Sequence, residues 1–156
     1  MWDAVFYCAA QLLGAVAGVA LASLVLQGAS AHKAVRYAAT APGIYGDTIA
    51  LVAELAISFI LMYAILFMYA ILFASDHEVL APYTHYFAAI LAAIYIAFES
   101  PLSGMSTNPA RTFGPALFGS YWHALWIYFI GPPLAYGRTL KQVTPRKEDL
   151  SQTAGP

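Results

Sequence analysis

The run from Asn108 to Arg111 joins a helix start to a positive charge, between two long apolar segments. Asn108 is a good N-cap, because its side chain can accept a hydrogen bond from a free backbone N–H, and Pro109 suits the first helical position. A helix that starts here aims its partial positive end, together with the Arg111 guanidinium, at whatever occupies the space beside it. Both charges repel cations and protons, while neutral molecules find hydrogen-bond donors. We interpret the run as part of the lining of a membrane pore.

The composition is typical of a membrane protein rather than of a soluble domain. Hydrophobic residues make up 61% of the chain and charged residues only 10%, against about 25% charged in a typical soluble domain. The net charge is -1, and without a basic stripe we expect no nucleic-acid partner. The one cysteine, Cys8, lies in an apolar run and is interpreted as a small buried hydrophobe. No pair of histidines has metal-ligand spacing, so we expect no metal and no cofactor.

Four apolar segments are long enough to cross a bilayer, whose hydrocarbon core of about 30 Å needs roughly 20 helical residues. They cover residues 4–26, 48–74, 82–100 and 121–140. The first segment is too long for a signal peptide and lacks a positive region before it, so we expect it to remain as a span. In that segment Gly14 and Gly18 have the spacing of small residues that let helices approach closely, which predicts a packing contact.

The segments outside the spans are interpreted from their polar residues. Residues 28–47 predict an exposed loop, and residues 75–79 predict a short loop on the opposite face. Charged and small polar residues mix after the last span, which predicts a disordered tail at 141–156 behind a transmembrane domain at 1–140. An even number of spans puts both termini on one side. Because lysine and arginine cluster at the carboxyl end, the positive-inside rule places both termini in the cytoplasm.

Residues 101–119 do not fit a span, because they are too polar and too rich in proline and glycine, yet they are too apolar for an ordinary aqueous loop. A helix from Asn108 to about Phe118 would be roughly 16 Å long at 1.5 Å per residue, about half a membrane. Irregular backbone at that depth is tolerated only where it is buried in protein or lines a water-filled cavity. We therefore predict a re-entrant loop in which the backbone of 103–107 faces protein or water.

The block from Gly104 to Ala116 resembles the second signature loop of the aquaporin family, also called the major intrinsic proteins. Residues 7–15 are similar to the third helix of that family, and Gly131-Pro132 match its sixth helix. The resemblance implies an all-α membrane protein, an aquaporin-like helical bundle fragment with four transmembrane helices and one re-entrant half-helix. It also implies a lipid bilayer as environment, passive transport of water and small uncharged solutes, and a homotetramer if the complete channel is made.

The resemblance also assigns site residues in three roles. They are Asn108, Pro109 and Ala110 in the pore signature, Arg111, Ile96 and Met105 in the selectivity filter, and Glu54 in support of the re-entrant loop. Water-selective members usually place histidine at the position of Ile96, and a small residue is common at that of Met105, so the resemblance implies a filter less polar than usual. Thr112 and Tyr128-Phe129 differ from the residues of glycerol-conducting members, which argues against that branch.

Part of the family pattern is absent from this chain. The family is an inverted repeat in which two half-helices meet from opposite faces, whereas this chain contains one Asn-Pro-Ala and begins about where the first signature loop would have ended. We expect it to hold the last helix of the first repeat and the whole second repeat. Two hypotheses stay open: a channel whose other half comes from upstream sequence or another polypeptide, and a truncated, non-conducting relative or gene fragment. A secondary transporter ranks below both, because no second broken helix is visible.

Polar residues elsewhere in the spans are interpreted as structural. A charge at the depth of Glu54 costs at least about 2.5 to 3.5 kcal/mol, so Glu54 should have a partner; by resemblance that partner is the backbone of the re-entrant loop. Glu99 lies at a span end, where we expect its carboxylate to reach water or to cap locally. A proton relay would need a second acid or histidine at the depth of Glu54, and the sequence indicates none. Ser58, Ser103 and Ser106 have no obvious base, so we expect no enzyme.

Overall fold

The structure, a computed structural model, describes residues 2–74 and 83–143. This part of the chain is helical and contains no strand, which confirms the all-α prediction for it. Its six helices are α1 Trp2–Val25, α2 Asp47–Ala74, α3 Thr84–Phe98, α4 Ser100–Ser103, α5 Pro109–Gly119 and α6 Leu125–Val143. Two 3₁₀ turns, Ala29–Ala31 and Arg36–Ala38, lie in the connection between α1 and α2.

Among the described residues, two helices are long and apolar enough to cross a membrane. They are Trp2–Val25, with a mean hydropathy of 2.0, and the part of α2 at Asp47–Phe67, with a mean hydropathy of 2.4. α3 contributes a shorter apolar stretch, Tyr86–Phe98. Long apolar sequence favours a helix in an apolar medium, because a helix pairs its backbone N–H and C=O groups within one segment.

The last two predicted spans have different bounds in the structure. The segment 82–100 breaks at Glu99, after the end of α3. Pro101 explains the break, because it has no N–H and its ring would clash with the carbonyl four residues earlier in a continuous helix. The segment 121–140 begins with a turn and becomes helical only at Leu125.

α6 ends later than predicted. It continues to Val143, so the first residues of the predicted tail at 141–156 are helical rather than disordered, and the boundary of the predicted domain at 1–140 lies inside the helix. Residues 144–156 lie outside the described residues, and so does the predicted loop at 75–79.

The connection predicted as an exposed loop at 28–47 folds in part against the segment that precedes α5. The hydroxyl of Thr40 is buried and donates to Thr112 Oγ1 on α5 at 2.7 Å. The N–H of Gly43 donates to the carbonyl of Leu102 at 2.9 Å. The exposed-loop prediction is therefore wrong at these positions, because buried polar groups take partners from a distant part of the chain.

Packing joins α2 to α6 and α1 to α5. The α2–α6 contact contains a buried apolar cluster of Ala50, Ala124, Ile127 and Tyr128. A second buried cluster joins α2, α3 and the loop before α5 and consists of Ile57, Tyr95 and Met105. Outside these clusters many large apolar side chains are exposed, including Phe6 at 70% and Leu24 at 77%. Such a surface favours apolar surroundings, because each Å² of apolar area removed from water gains about 25 cal/mol.

The close approach between α1 and α5 occurs at a glycine that the sequence pattern did not indicate. A Cβ at Gly14 or Gly18 would have no neighbour within 4 Å, so the packing contact predicted at these positions is wrong for the described chain. A Cβ at Gly114 would instead lie 2.8 Å from the carbonyl oxygen of Ala15. The backbones of α1 and α5 meet there because α5, rather than α1, supplies the residue without a side chain.

We expect Gly114→Ala to destabilise the protein and Gly18→Ala to leave it unchanged or slightly more stable. Overpacking of a tight contact costs about 1–3 kcal/mol, whereas an open helical position gains up to about 1 kcal/mol from alanine. Thermal unfolding in detergent micelles, followed by circular dichroism, should show a lower midpoint for Gly114→Ala alone. Equal midpoints for the two variants would contradict the α1–α5 contact.

Candidate functional site

α5 begins at the Asn108 cap. Asn108 has an extended backbone, with φ -150° and ψ 122°, and its Oδ1 accepts a hydrogen bond from the N–H of Ala110 at 2.9 Å. Pro109 is the first helical residue, where its missing N–H costs nothing. The helix contains 11 residues, which gives a length of about 16 Å. The local signals of the sequence thus produce a short helix whose N-terminus lies beside an exposed amide side chain.

The backbone before α5 adopts conformations that most residues avoid. Gly104, Met105 and Thr107 have φ values of 84°, 52° and 53°. Glycine is required at the first of these, because a Cβ there would lie 2.9 Å from the N of Ala41. Left-handed backbone is unfavourable for other residues and persists only when the surroundings hold it. The loop at 103–107 therefore needs external support.

Glu54 on α2 supplies part of that support. Its side chain is fully buried, at 0% exposure. Oε1 accepts from the N–H of Ser106 at 2.6 Å, and Oε2 accepts from the N–H of Thr107 at 2.9 Å. The hydroxyl of Ser103 also lies 2.7 Å from Oε1. The structure thus places Glu54 against the backbone of the loop at 103–107, with both carboxylate oxygens occupied.

Two tyrosines of α6 donate hydrogen bonds to backbone carbonyls of the same loop. The hydroxyl of Tyr128 donates to the carbonyl of Ser103 at 2.5 Å, and that of Tyr136 donates to the carbonyl of Thr107 at 2.5 Å. Sequence reasoning used Tyr128 only as a family marker and did not single out Tyr136. The sequence does indicate that the carbonyl groups of a buried loop need hydrogen-bond donors. It does not indicate which helix provides those donors.

A chain of hydroxyl groups closes the loop onto α5. Thr40 Oγ1 donates to Thr112 Oγ1, which lies 2.6 Å from Ser106 Oγ, and Ser106 Oγ donates to the carbonyl of Asn108 at 2.8 Å. Thr112 is 1% exposed. Its hydroxyl therefore links the α1–α2 connection to the start of α5 instead of facing a cavity.

Glu99 neither reaches water nor caps α4 with its side chain, contrary to both alternatives of the prediction. The residue is only 7% exposed, and its Oε1 is hydrogen-bonded to the hydroxyl of Ser103. The break between α3 and α4 explains the difference, because it turns the chain at Glu99 inward towards the loop. Glu54 and Glu99 thus contact the same serine. In residues 2–74 and 83–143 no group of His, Cys, Asp or Glu could hold a metal ion.

Two cavities lie beside the start of α5. The smaller has a volume of about 430 Å³, and residues of α1 and of the α5 start face it, among them Tyr7, Gln11, Gly14, Asn108, Ala110 and Arg111. The larger has a volume of about 700 Å³ and shares Gln11, Asn108 and Ala110 with the first, while Tyr136 and Cys8 also line it. Cys8 is exposed in the described chain, so the prediction that it is buried is wrong. Gln11 is a polar wall residue to which sequence reasoning gave no site role.

Arg111 brings a positive charge to the smaller cavity. Its Nη1 is buried and makes no hydrogen bond with any described residue. Its charge lies near the positive N-terminal end of α5. The first turn of that helix contains no acidic residue. The wall of the cavity therefore combines a cation, a helix N-terminus and two amide side chains, Asn108 and Gln11.

The other two predicted filter residues do not line either of these cavities. Ile96 is 57% exposed on α3. Met105 is 8% exposed and packs with Ile57 and Tyr95. The structure thus brings Arg111 together with Asn108 and Ala110, and it places Ile96 and Met105 elsewhere; a filter role for those two stays a prediction.

Known proteins are similar to this sequence over most of its length. Aquaporin TIP3-1 of Zea mays is 37% identical over 134 residues, which cover 86% of this chain and 48% of that protein. Aquaporin NIP1-4 of Oryza sativa subsp. japonica is 34% identical over 123 residues, 79% of this chain and 43% of that protein. Aquaporin NIP1-1 of the same organism is 31% identical over 126 residues, 81% of this chain and 41% of that protein. The chain spans less than half the length of these relatives.

A family model described as Major intrinsic protein matches residues 1–136. The match includes α1 to α5, the loop at 103–107 and most of α6, so it covers every residue of the site described above. The resemblance drawn from the block around Asn108 is thereby confirmed. This chain, helical and without strands in the residues that the structure describes, belongs to the major intrinsic protein family, the family of the aquaporins, and is an integral membrane protein.

Proposed function

We propose that the chain forms part of a membrane channel that conducts water and small uncharged solutes passively. The observation that carries the proposal is the meeting of the α5 N-terminus, the Asn108 amide and the Arg111 guanidinium at one cavity. Family membership supports it, because the family consists of channel proteins rather than enzymes. In this proposal Asn108, Pro109 and Ala110 are the pore signature, and Arg111 is the arginine of the selectivity filter.

The proposed pore selects by charge. The helix N-terminus carries about half an elementary positive charge, and Arg111 adds a full one. Beside walls that are largely apolar, these charges raise the energy of a cation or a hydrated proton. A neutral molecule instead accepts hydrogen bonds from them and exchanges further hydrogen bonds with the amides of Asn108 and Gln11. The same groups that exclude cations therefore give water a path.

We also propose that glycerol is a poor substrate. Glycerol-conducting members usually have aspartate where this chain has Thr112, whose hydroxyl is taken up by Thr40 and Ser106. Tyr128, at another position that differs from those members, is 0% exposed and donates to the loop. With Ile96 and Met105 as apolar filter positions, the pore would hold few groups able to replace the hydration of a triol.

For the membrane arrangement, we propose that α1, α2, α3 and α6 cross the bilayer. α6 contains 19 residues and so measures about 28 Å, whereas α5 at about 16 Å enters only half of the bilayer. The tail at 141–156 and the amino terminus would lie on the cytoplasmic side, in keeping with the basic residues near the carboxyl end.

The proposed pore needs further protein around it. Asn108 is exposed in the described chain, although a pore signature residue must be enclosed to control what passes. We propose that additional protein covers this side of the two cavities, from the same polypeptide or from another, and that the complete channel is a homotetramer.

Vesicles that contain the complete channel assembly should shrink faster than empty vesicles after a rise in external osmolarity, as measured by stopped-flow light scattering. We expect Gly14→Phe to remove the difference, because position 14 lines the smaller cavity and a phenylalanine ring would fill part of it. Gly18→Phe is the matched control, since Gly18 lies one turn further along α1 and lines neither cavity.

Equal shrinkage of empty vesicles and vesicles with the well-folded complete assembly would overturn the channel proposal. If Gly18→Phe slowed shrinkage as much as Gly14→Phe, the path would not run through the cavity beside Asn108. If both variants unfold at the same temperature as the unchanged protein, a difference in shrinkage between them reports a change in the water path and not a folding defect.

Arg111→Val in a conducting assembly should raise the leak of protons and small cations, because it removes the charge at the cavity wall. A pH-sensitive dye inside the vesicles would report the proton leak. Arg138→Val removes a positive charge at an exposed position of α6 and should leave the leak unchanged. An unchanged leak in Arg111→Val would contradict the assignment of Arg111 to the filter.

A further inference from the structure

Two buried carboxyl groups share one hydroxyl group next to the loop at 103–107. Ser103 Oγ lies 2.7 Å from Glu54 Oε1 and is also hydrogen-bonded to Glu99 Oε1. All three residues are buried, with Glu54 and Ser103 at 0% and Glu99 at 7% exposure. Two ionised carboxylates in such a place would repel each other without water between them.

The hydrogen atoms around Ser103 can be counted. A serine hydroxyl has one hydrogen to donate and two lone pairs to accept with. The N–H of Met105 donates to Ser103 Oγ at 3.2 Å and uses one lone pair. The single hydrogen can go to only one carboxyl group. The other carboxyl group must therefore donate a hydrogen of its own to the remaining lone pair, which requires that it be protonated.

The two acids differ in their hydrogen-bond partners. Both oxygens of Glu54 accept from backbone N–H groups, those of Ser106 and Thr107, which an ionised carboxylate does best. Oε2 of Glu99 is buried and makes no hydrogen bond with any described residue. An unpaired oxygen costs much less on a neutral acid than on a buried carboxylate.

We propose that Glu99 is protonated and neutral, and that it acts as a positioning residue for the loop. Its hydroxyl donates to Ser103, Ser103 donates to the ionised Glu54, and Glu54 accepts from the N–H groups of Ser106 and Thr107. The chain of hydrogen bonds runs in one direction, so each group has a donor or an acceptor that fits. Glu99 thus fixes the loop through two other side chains.

The charged and titratable groups around Glu99 fit this assignment. Glu54 on α2 and Arg111 on α5 act on it electrostatically with opposite signs. Tyr95 on α3 and Tyr128 on α6 also interact with Glu99, and both are phenols that stay neutral near pH 7. With Glu99 neutral, the charges of Glu54 and Arg111 balance. With Glu99 ionised, the same buried region would carry one uncompensated negative charge.

A rise in pH that removes the proton from Glu99 would therefore loosen the loop. Ser103 would lose a donor and would lie between two carboxylates. The loop leads directly to Asn108, so conduction should fall together with loop order; this consequence for transport rests on the proposed channel function, whereas the proton on Glu99 does not.

Infrared spectroscopy tests the proton directly. A protonated carboxyl group has a C=O stretching band that a carboxylate lacks. We expect this band in the native protein near pH 7 and in Glu148→Gln, a control acid in the carboxyl-terminal sequence, and we expect its loss in Glu99→Gln. Glutamine keeps an N–H donor for Ser103 and cannot ionise, so this variant should fold. A band of equal area in native protein and Glu99→Gln would overturn the proposal.

The pH dependence of stability gives a second readout that needs no transport. The folded protein holds a proton on Glu99 that a glutamate of the unfolded chain releases above its ordinary pKa of about 4.3, so stability should fall as the pH rises above that value. The thermal midpoint of the native protein and of Glu148→Gln should be lowered between about pH 5 and neutral pH relative to that of Glu99→Gln, which lacks this proton. Identical shifts in all three would overturn the positioning role. Vesicles that fail to conduct would contradict the channel proposal alone, because neither of these readouts depends on it.

Discussion

The structure depends on one constraint: the stretch 103–107, whose backbone is non-helical after Ser103, is largely buried and must find hydrogen-bond partners outside itself. In apolar surroundings each unpaired N–H or C=O costs several kcal/mol. A helix avoids that cost by pairing its own groups, but this stretch contains left-handed residues and cannot. Glu54 supplies acceptors, and Tyr128 and Tyr136 supply donors. Polar residues in otherwise apolar helices are accounted for by this need.

The division between acceptors and donors follows the packing of α2 on α6. α2 provides the carboxylate and α6 provides the phenols, so the loop is held from two helices that are themselves joined by an apolar cluster. α6 passes close to Glu54 at Gly131, where a Cβ would lie 3.4 Å from the Cβ of Glu54, about van der Waals contact distance. The spacing between loop acceptor and loop donors is therefore fixed by ordinary side-chain packing away from the cavities. Any change in that packing would alter both sides of the loop together.

Local sequence signals were sufficient where the structure is determined locally. Asn108 and Pro109 predict the start of α5, and the run up to Phe118 predicts its length, because capping and helix propensity act within a few residues. Local sequence signals did not predict the structure at positions whose environment depends on residues far away in the sequence. Glu99 seemed to lie at a span end, yet the break after α3 buries it beside Ser103. Gly14 and Gly18 have the spacing of a packing motif, but nothing in the described chain approaches them, and no local pattern marks Gly114 as the residue in contact with α1.

The hydrogen bonds of the loop also bear on the order in which the chain folds. The contact between Glu54 and Ser106 joins residues 52 positions apart, and the contact between Thr40 and Thr112 joins residues 72 positions apart. Contacts so distant in sequence require loop closure before they gain anything, whereas a capped helix such as α5 can form from neighbouring residues alone. α2 is synthesised long before Ser106, and the donors of α6 emerge after it. We therefore expect the loop to take its final shape only once α6 has joined α2, which makes the centre of this protein the last part to be assembled.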